Sequence, residues 1–153
     1  MKRTATAISL CLAALGLTAC NEHGGVASNP KVCVDFKQTK SAPLIAGTDG
    51  VGPVDECVKR WAYSLAGSRD TAGTVADAAV AACNVQLARW NQQTLNQPGS
   101  DMEAASLITG RPTTPLSEHS AFTAGRALFY VVQARAGRCA PPPIVNGLPE
   151  GVS

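Results

Sequence analysis

The sequence predicts a mainly α domain: a helical hairpin plus one short and one long helix, stapled by two disulfides and preceded by an extended N-terminal segment. Three observations carry this. From Pro53 onward apolar residues recur three and four positions apart, the period of a helix with one buried face. Aromatic residues make up only 5% of the chain while alanine is abundant, which suits closely packed helices better than a β-sandwich. Cys33, Cys57, Cys83 and Cys139 fall in or beside this pattern, an even set that reads as two bridges in an oxidising compartment.

Lys31 to Lys37 alternates as Lys-Val-Cys-Val-Asp-Phe-Lys, which predicts a short strand or extended segment. Residues 39–53 read as loop from their Gly, Pro, Thr and Ser content. The first helix follows, with Val54, Cys57, Val58, Trp61, Ala62 and Leu65 on its apolar stripe and Asp55, Glu56, Lys59 and Arg60 mainly on other faces. Pro53 suits its first turn, Asp55 and Glu56 complement the dipole there, and Gly67 suits its exit. After a turn at residues 68–71, a second helix capped by Asp70 or Thr74 presents Val75, Ala79, Ala82, Cys83, Leu87 and Trp90 and fades near Asn96. Ser100 with Glu103 forms a capping box that opens a short helix ending at Gly110. Ser117 and Glu118 open the last long helix, expected to turn Ala121, Phe122, Gly125, Leu128, Phe129, Val132 and Ala136 inward, with Arg135 near its end and Gly137 as its stop. The helical domain thus spans residues 31–140, and residues 141–153 read as a Pro/Gly-rich tail.

The helices constrain the cysteines. In an antiparallel hairpin, residues facing each other are equidistant from the turn. The midpoint of Cys57 and Cys83 is residue 70, inside the predicted turn, and both cysteines lie on apolar stripes. Cys57 therefore pairs with Cys83, and Cys33 with Cys139 by elimination, pinning the N-terminal segment to the end of the last helix. Closing the loop of roughly 25 residues between Cys57 and Cys83 contributes about 3 kcal/mol when the geometry is unstrained. Against a metal site, the chain has no Cys-x-x-Cys, and of its two histidines only His23 lies near a cysteine.

Ahead of the domain, Lys2 and Arg3 precede an apolar run from Ala5 to Leu17 that is too short to span a bilayer and ends in Leu17-Thr18-Ala19-Cys20. This tetrad resembles the lipobox of bacterial lipoproteins. The resemblance implies removal of residues 1–19 as a signal peptide and acylation of Cys20, where several acyl chains give stable anchoring. Residues 20–30 then form the lipidated cysteine and a flexible tether. Asn21 in place of aspartate implies, by the enterobacterial form of the family, the periplasmic face of the outer membrane. The alternative is a plain secreted chain whose Cys20 pairs elsewhere.

Loss of Lys2 and Arg3 leaves eleven basic and eleven acidic residues in about 134, so the mature chain is formally neutral. It has no electrostatic footprint for nucleic acid or an acidic lipid surface. The residues offer no catalytic set and call for no cofactor or metal. Ser117-Glu118-His119-Ser120 invites a hydrolase reading, but adjacent side chains at a helix start point in different directions and form no relay. Gly47-Thr48-Asp49-Gly50-Val51-Gly52 precedes a helix, yet Pro53 lacks an N–H, no lysine completes a phosphate loop and Asp49 repels anions. Arg60-Trp61 and Arg89-Trp90 pair a cation with an aromatic ring and are candidate surface contacts. Their spacing from Cys57 and Cys83, four and seven residues, equally places both tryptophans in the core.

Cys57, Arg60, Trp61 and Cys83 together resemble the helical pair of small exported proteins of Gram-negative bacteria, a resemblance that implies no particular activity. The function expected is a membrane-anchored envelope lipoprotein whose helical domain binds an envelope protein or cell-wall component without catalysis. Peptidoglycan-anchoring signatures are absent, which weighs against direct cell-wall binding. The alternatives are a small-ligand or metal binder, or a hydrolase using His119.

Overall fold

The computed structural model describes residues 28–36, 50–99, 104–106 and 109–152. The signal segment, Cys20, most of the tether, Lys37 and Ser100 to Glu103 lie outside them. Among the described residues there are four helices: α1 (Val51–Leu65), α2 (Ala72–Ala82), α3 (Asn84–Leu95) and α4 (Pro115–Gly137). Two small antiparallel ladders join them, β1 (Ala104–Ala105) with β2 (Pro112–Thr113), and β3 (Ile144–Val145) with β4 (Leu148–Pro149). The mainly helical class therefore holds.

Helix α4 is the axis of the domain, and α1, α2 and α3 all pack on it. The core lies where small residues let backbones approach: Val58, Ala62, Ala79, Ala127 and Val131 are completely buried, with Tyr63, Tyr130 and Ala134 nearly so. Both cysteine pairings hold. Cys57 is bridged to Cys83 with Cα atoms 5.9 Å apart, and Cys33 to Cys139 at 5.3 Å.

Local chemistry corrects several boundaries. Helix α1 starts at Val51, two residues before Pro53, behind Gly50 at φ 110°. Pro53 still sits among the first four residues, whose N–H groups have no helical partner to lose. No acid lies in that first turn; Asp55 and Glu56 are instead committed to ion pairs. The cap of α2 is Thr71, whose Oγ1 accepts from Thr74 N at 3.2 Å, rather than Asp70 or Thr74. The single second helix is in fact two. Cys83 leaves helical geometry at φ −106°, ψ 14°, where the bridge to Cys57 holds it, and Asn84, a weak helix former, begins α3. Ala82 is consequently exposed.

The short helix expected before Gly110 is not formed at Ala104 and Ala105, which pair with Thr113 and Pro112. Proline disfavours helix in the residue before it, so Arg111-Pro112 and Thr114-Pro115 stay extended and template the ladder. Helix α4 then opens one turn earlier than Ser117: Thr114 Oγ1 accepts from Ser117 N at 3.3 Å and Pro115 takes the first helical position. At the other end Gly137 is the last helical residue, and the left-handed cap is Arg138 at φ 51°, ψ 47°. Gly137 is required for another reason. A Cβ there would lie 2.7 Å from Cys139 Sγ and 2.9 Å from Cys33 Sγ.

The largest correction concerns the phase of α4. Ala121, Phe122, Gly125, Leu128, Phe129, Val132 and Ala136, all expected inward, are exposed. The buried face is His119, Thr123, Ala127, Tyr130, Val131 and Ala134. Both faces are apolar, so periodicity could not choose between them, and the smaller Ala127 and Ala134 admit α1 and α2 more closely.

The described segments on either side of the helices are tied to them. Residues 29–33 form a turn rather than a strand, with Val32 N and Cys33 N donating to Asn29 O at 3.0 Å. Gln133 Nε2 donates to Val32 O at 2.8 Å, and Phe36 meets Tyr63 edge-on at 5.1 Å. The stretch read as a tail contains the β3–β4 hairpin, turned by Asn146 and Gly147 at φ 52° and 81°. Pro149 is buried and Val152 packs against the core.

Candidate functional site

Trp90 and Asn91 on α3 face His119 and Phe122 on α4. The Trp90 and His119 rings stack, with centroids 3.5 Å apart and planes 14° from parallel, and the Phe122 ring meets Trp90 edge-on at 5.8 Å. His119 Nδ1 and Asn91 Oδ1 are 2.8 Å apart. With the amide oxygen as acceptor, Nδ1 carries the proton and the neutral ring keeps its lone pair on Nε2. His119 is only 9% exposed, and burial holds its pKa below the ordinary imidazole value. The ring is therefore neutral at pH 7, and the stack is an apolar contact rather than a cation over a ring. Thr123, completely buried, donates to His119 O at 2.7 Å and steadies the turn beneath.

A cleft of about 480 Å³ opens beside this stack, lined by Trp90, Glu118, His119, Phe122, Gly125 and Arg126. Gly125 forms bare floor: a Cβ added there would meet nothing within 4 Å. Along one edge runs a polar cluster. Arg126 donates to Asp55 through Nε at 2.6 Å and Nη2 at 3.2 Å, and Tyr130 Oη lies 3.0 and 2.9 Å from the two Asp55 oxygens. Arg126 also donates to Tyr130 Oη. Burial foremost, then the hydrogen bond and charge of Asp55, push the Tyr130 phenol far above its ordinary value. This cluster has its charges and donors matched internally, so it braces α1 against α4 and offers no poised acid or base.

The predicted contacts scatter. Arg60 is completely buried and cannot be a surface contact. Its Nε donates to Glu56 at 2.7 Å, Nη1 donates to Glu150 O, and Phe36 covers the guanidinium at 5.2 Å. Trp61 is half-buried against the core, with Nε1 unpartnered. Arg89 is exposed, and Trp90 is the one member of the two pairs that lines the cleft. Cys20 lies outside the described residues.

No relay forms around His119. Ser120 Oγ donates to Leu116 O at 3.0 Å, and Ser117 Oγ is engaged with Thr114 Oγ1 at 3.0 Å. Among the described residues no three His, Cys, Asp or Glu side chains converge as metal ligands. Sequence reading missed the Trp90–His119 partnership because the two residues lie on separate helices. Comparison with family models, with curated proteins and with solved structures finds no match.

Proposed function

We propose that the chain is an envelope lipoprotein held in the membrane by acyl chains on Cys20, and that its disulfide-closed domain docks a protein partner through the outer face of α4 without catalysis. The observation that carries the docking is the exposure of Leu128, Phe129 and Val132, at 43%, 51% and 51%, on a helix whose opposite face is already core. A helix apolar all round is ordinarily covered all round, and among the described residues no helix is long and apolar enough to cross a membrane. The anchor rests on the lipobox of residues 17–20. The two bridges suit an oxidising envelope.

The test is the intact mass of the full chain extracted from membranes, before and after reduction. It should give an acylated chain beginning at Cys20 that gains four hydrogens on reducing its two bridges. Cys20→Ala should move the protein out of the membrane fraction, and Leu128→Glu should abolish partner capture by in-cell crosslinking while leaving the helical circular dichroism unchanged. An unacylated chain, or capture indifferent to Leu128→Glu, refutes the respective half.

A further inference from the structure

The two ring nitrogens of His119 are in different circumstances. Nδ1 gives its proton to Asn91 Oδ1 at 2.8 Å, which leaves Nε2 as a bare acceptor. Among the described residues Nε2 has no partner, and it is not one of the polar atoms sealed away from solvent. The ring is otherwise enclosed, with Trp90 stacked on it, and the 9% of His119 that stays open belongs to the wall of the cleft between α3 and α4. In a mostly apolar wall, one fixed acceptor is what sets which molecule binds.

Charge and shape narrow the donor. A cation would enter beside Arg126 and at the first turns of α4, the positive end of that helix. An anion would meet Glu118 and the Nε2 lone pair. Arg126 already has Asp55 as its partner, so a neutral molecule brings no unmatched charge into the cleft. Trp90 and Phe122 stand edge to face at 5.8 Å, and Gly125 leaves the floor bare, so a flat ring can approach the backbone of α4 there. The volume of about 480 Å³ suits a small ring system.

We propose that the cleft between α3 and α4 binds a small neutral aromatic alcohol, whose ring lies on Gly125 against Trp90 and Phe122 and whose hydroxyl donates to His119 Nε2. Asn91 holds the proton on Nδ1 and so keeps Nε2 an acceptor. The hydroxyl satisfies the one polar atom of the wall that the chain leaves unmatched, while the rest of the ligand meets apolar surface. The site is distinct from the docking face, because Leu128, Phe129 and Val132 do not line it.

The test compares phenol with its methyl ether, anisole, as probes of the full chain in lipid nanodiscs, with free ligand fixed by equilibrium dialysis. Both have the ring, and only phenol can donate. Phenol should bind saturably and about tenfold more tightly than anisole, the worth of one hydrogen bond. Nitrogen NMR of labelled histidine should show one Nε2 resonance moving with phenol, and His119→Phe should remove that resonance and leave the one from His23. His119→Phe keeps an aromatic ring beside Trp90 and should bring the two affinities together. Gly125→Leu, at an open and exposed position, should abolish binding of both probes with the helical circular dichroism unchanged. No saturable binding of phenol, or binding indifferent to Gly125→Leu, overturns the site. Equal affinities in the unaltered protein, or a preference for phenol that survives His119→Phe, overturn the role of Nε2 and with it the aromatic alcohol.

Discussion

Replacing Gly137 with alanine tests the packing at the end of α4, because its sign depends on a disulfide. The added Cβ would lie 2.7 Å from Cys139 Sγ, 2.9 Å from Cys33 Sγ and 3.2 Å from Val32 Cγ1. The two nearest atoms belong to one bridge, so neither can swing away alone. Overpacking of this kind costs about 1–3 kcal/mol, while alanine inside a helix gains about 1 kcal/mol over glycine. The net expectation is a loss of about 1 kcal/mol, measured by urea denaturation. In a Cys33→Ala, Cys139→Ala background both sulfurs are gone, the two shortest contacts with them, and the same substitution should stabilise by about 0.5–1 kcal/mol. The cycle therefore carries a coupling of about 2 kcal/mol. Removing the bridge itself costs about 4–5 kcal/mol for a separation of 106 residues, so an osmolyte keeps that background folded for the measurement. If Gly137→Ala has the same effect with and without the bridge, the close approach is not what requires glycine.

Three further outcomes are expected. His119 is held neutral by burial, so the unfolded chain takes up a proton near pH 6.5 where the folded chain does not; stability should fall as pH drops from 7 to 5, and more steeply than in His119→Phe. Parallel slopes in the two proteins would remove the buried imidazole from the account. Arg138→Gly relieves a left-handed residue bearing a Cβ and should raise stability by about 0.5–1 kcal/mol in thermal melts. Tyr63 and Tyr130 are the only tyrosines, and burial raises both phenols, with Asp55 adding to Tyr130. Tyrosinate absorbance should therefore appear above pH 10 only as the domain unfolds, and a titration that precedes unfolding would contradict the buried setting.

How much of this was legible residue by residue follows from the physics of each element. The stripe of α1 was readable because Lys59 and Glu56 contrast with Val54, Val58 and Ala62. The Cys57–Cys83 bridge was readable because a hairpin fixes which positions face each other, and Cys33–Cys139 followed by elimination. The phase of α4 was not, since Phe122, Leu128 and Phe129 on one side balance Tyr130 and Val131 on the other. Arg60 defeated the reading for a different reason. Its burial depends on a carbonyl 90 residues away, at Glu150, as well as on Glu56 one turn back. The Asn146-Gly147 hairpin carried a strong local signal that composition alone disguised as a tail. The His119 site is the hardest case: it exists only because the chain turns at Cys83 and lays α3 beside α4.

The bridge between Cys33 and Cys139 also sets how the molecule bears load. It closes residues 33–139 into a covalent ring that contains the four described helices. Tension between the two ends of the chain crosses one sulfur–sulfur bond and bypasses the helical core. A pull on the outer face of α4 runs down that helix to its last turn and leaves through Cys33, with α1, α2 and α3 as bystanders. The β3–β4 hairpin sits outside the ring, so it is the part that traction from the C-terminus would peel first, breaking the Arg60 contact to Glu150 on the way.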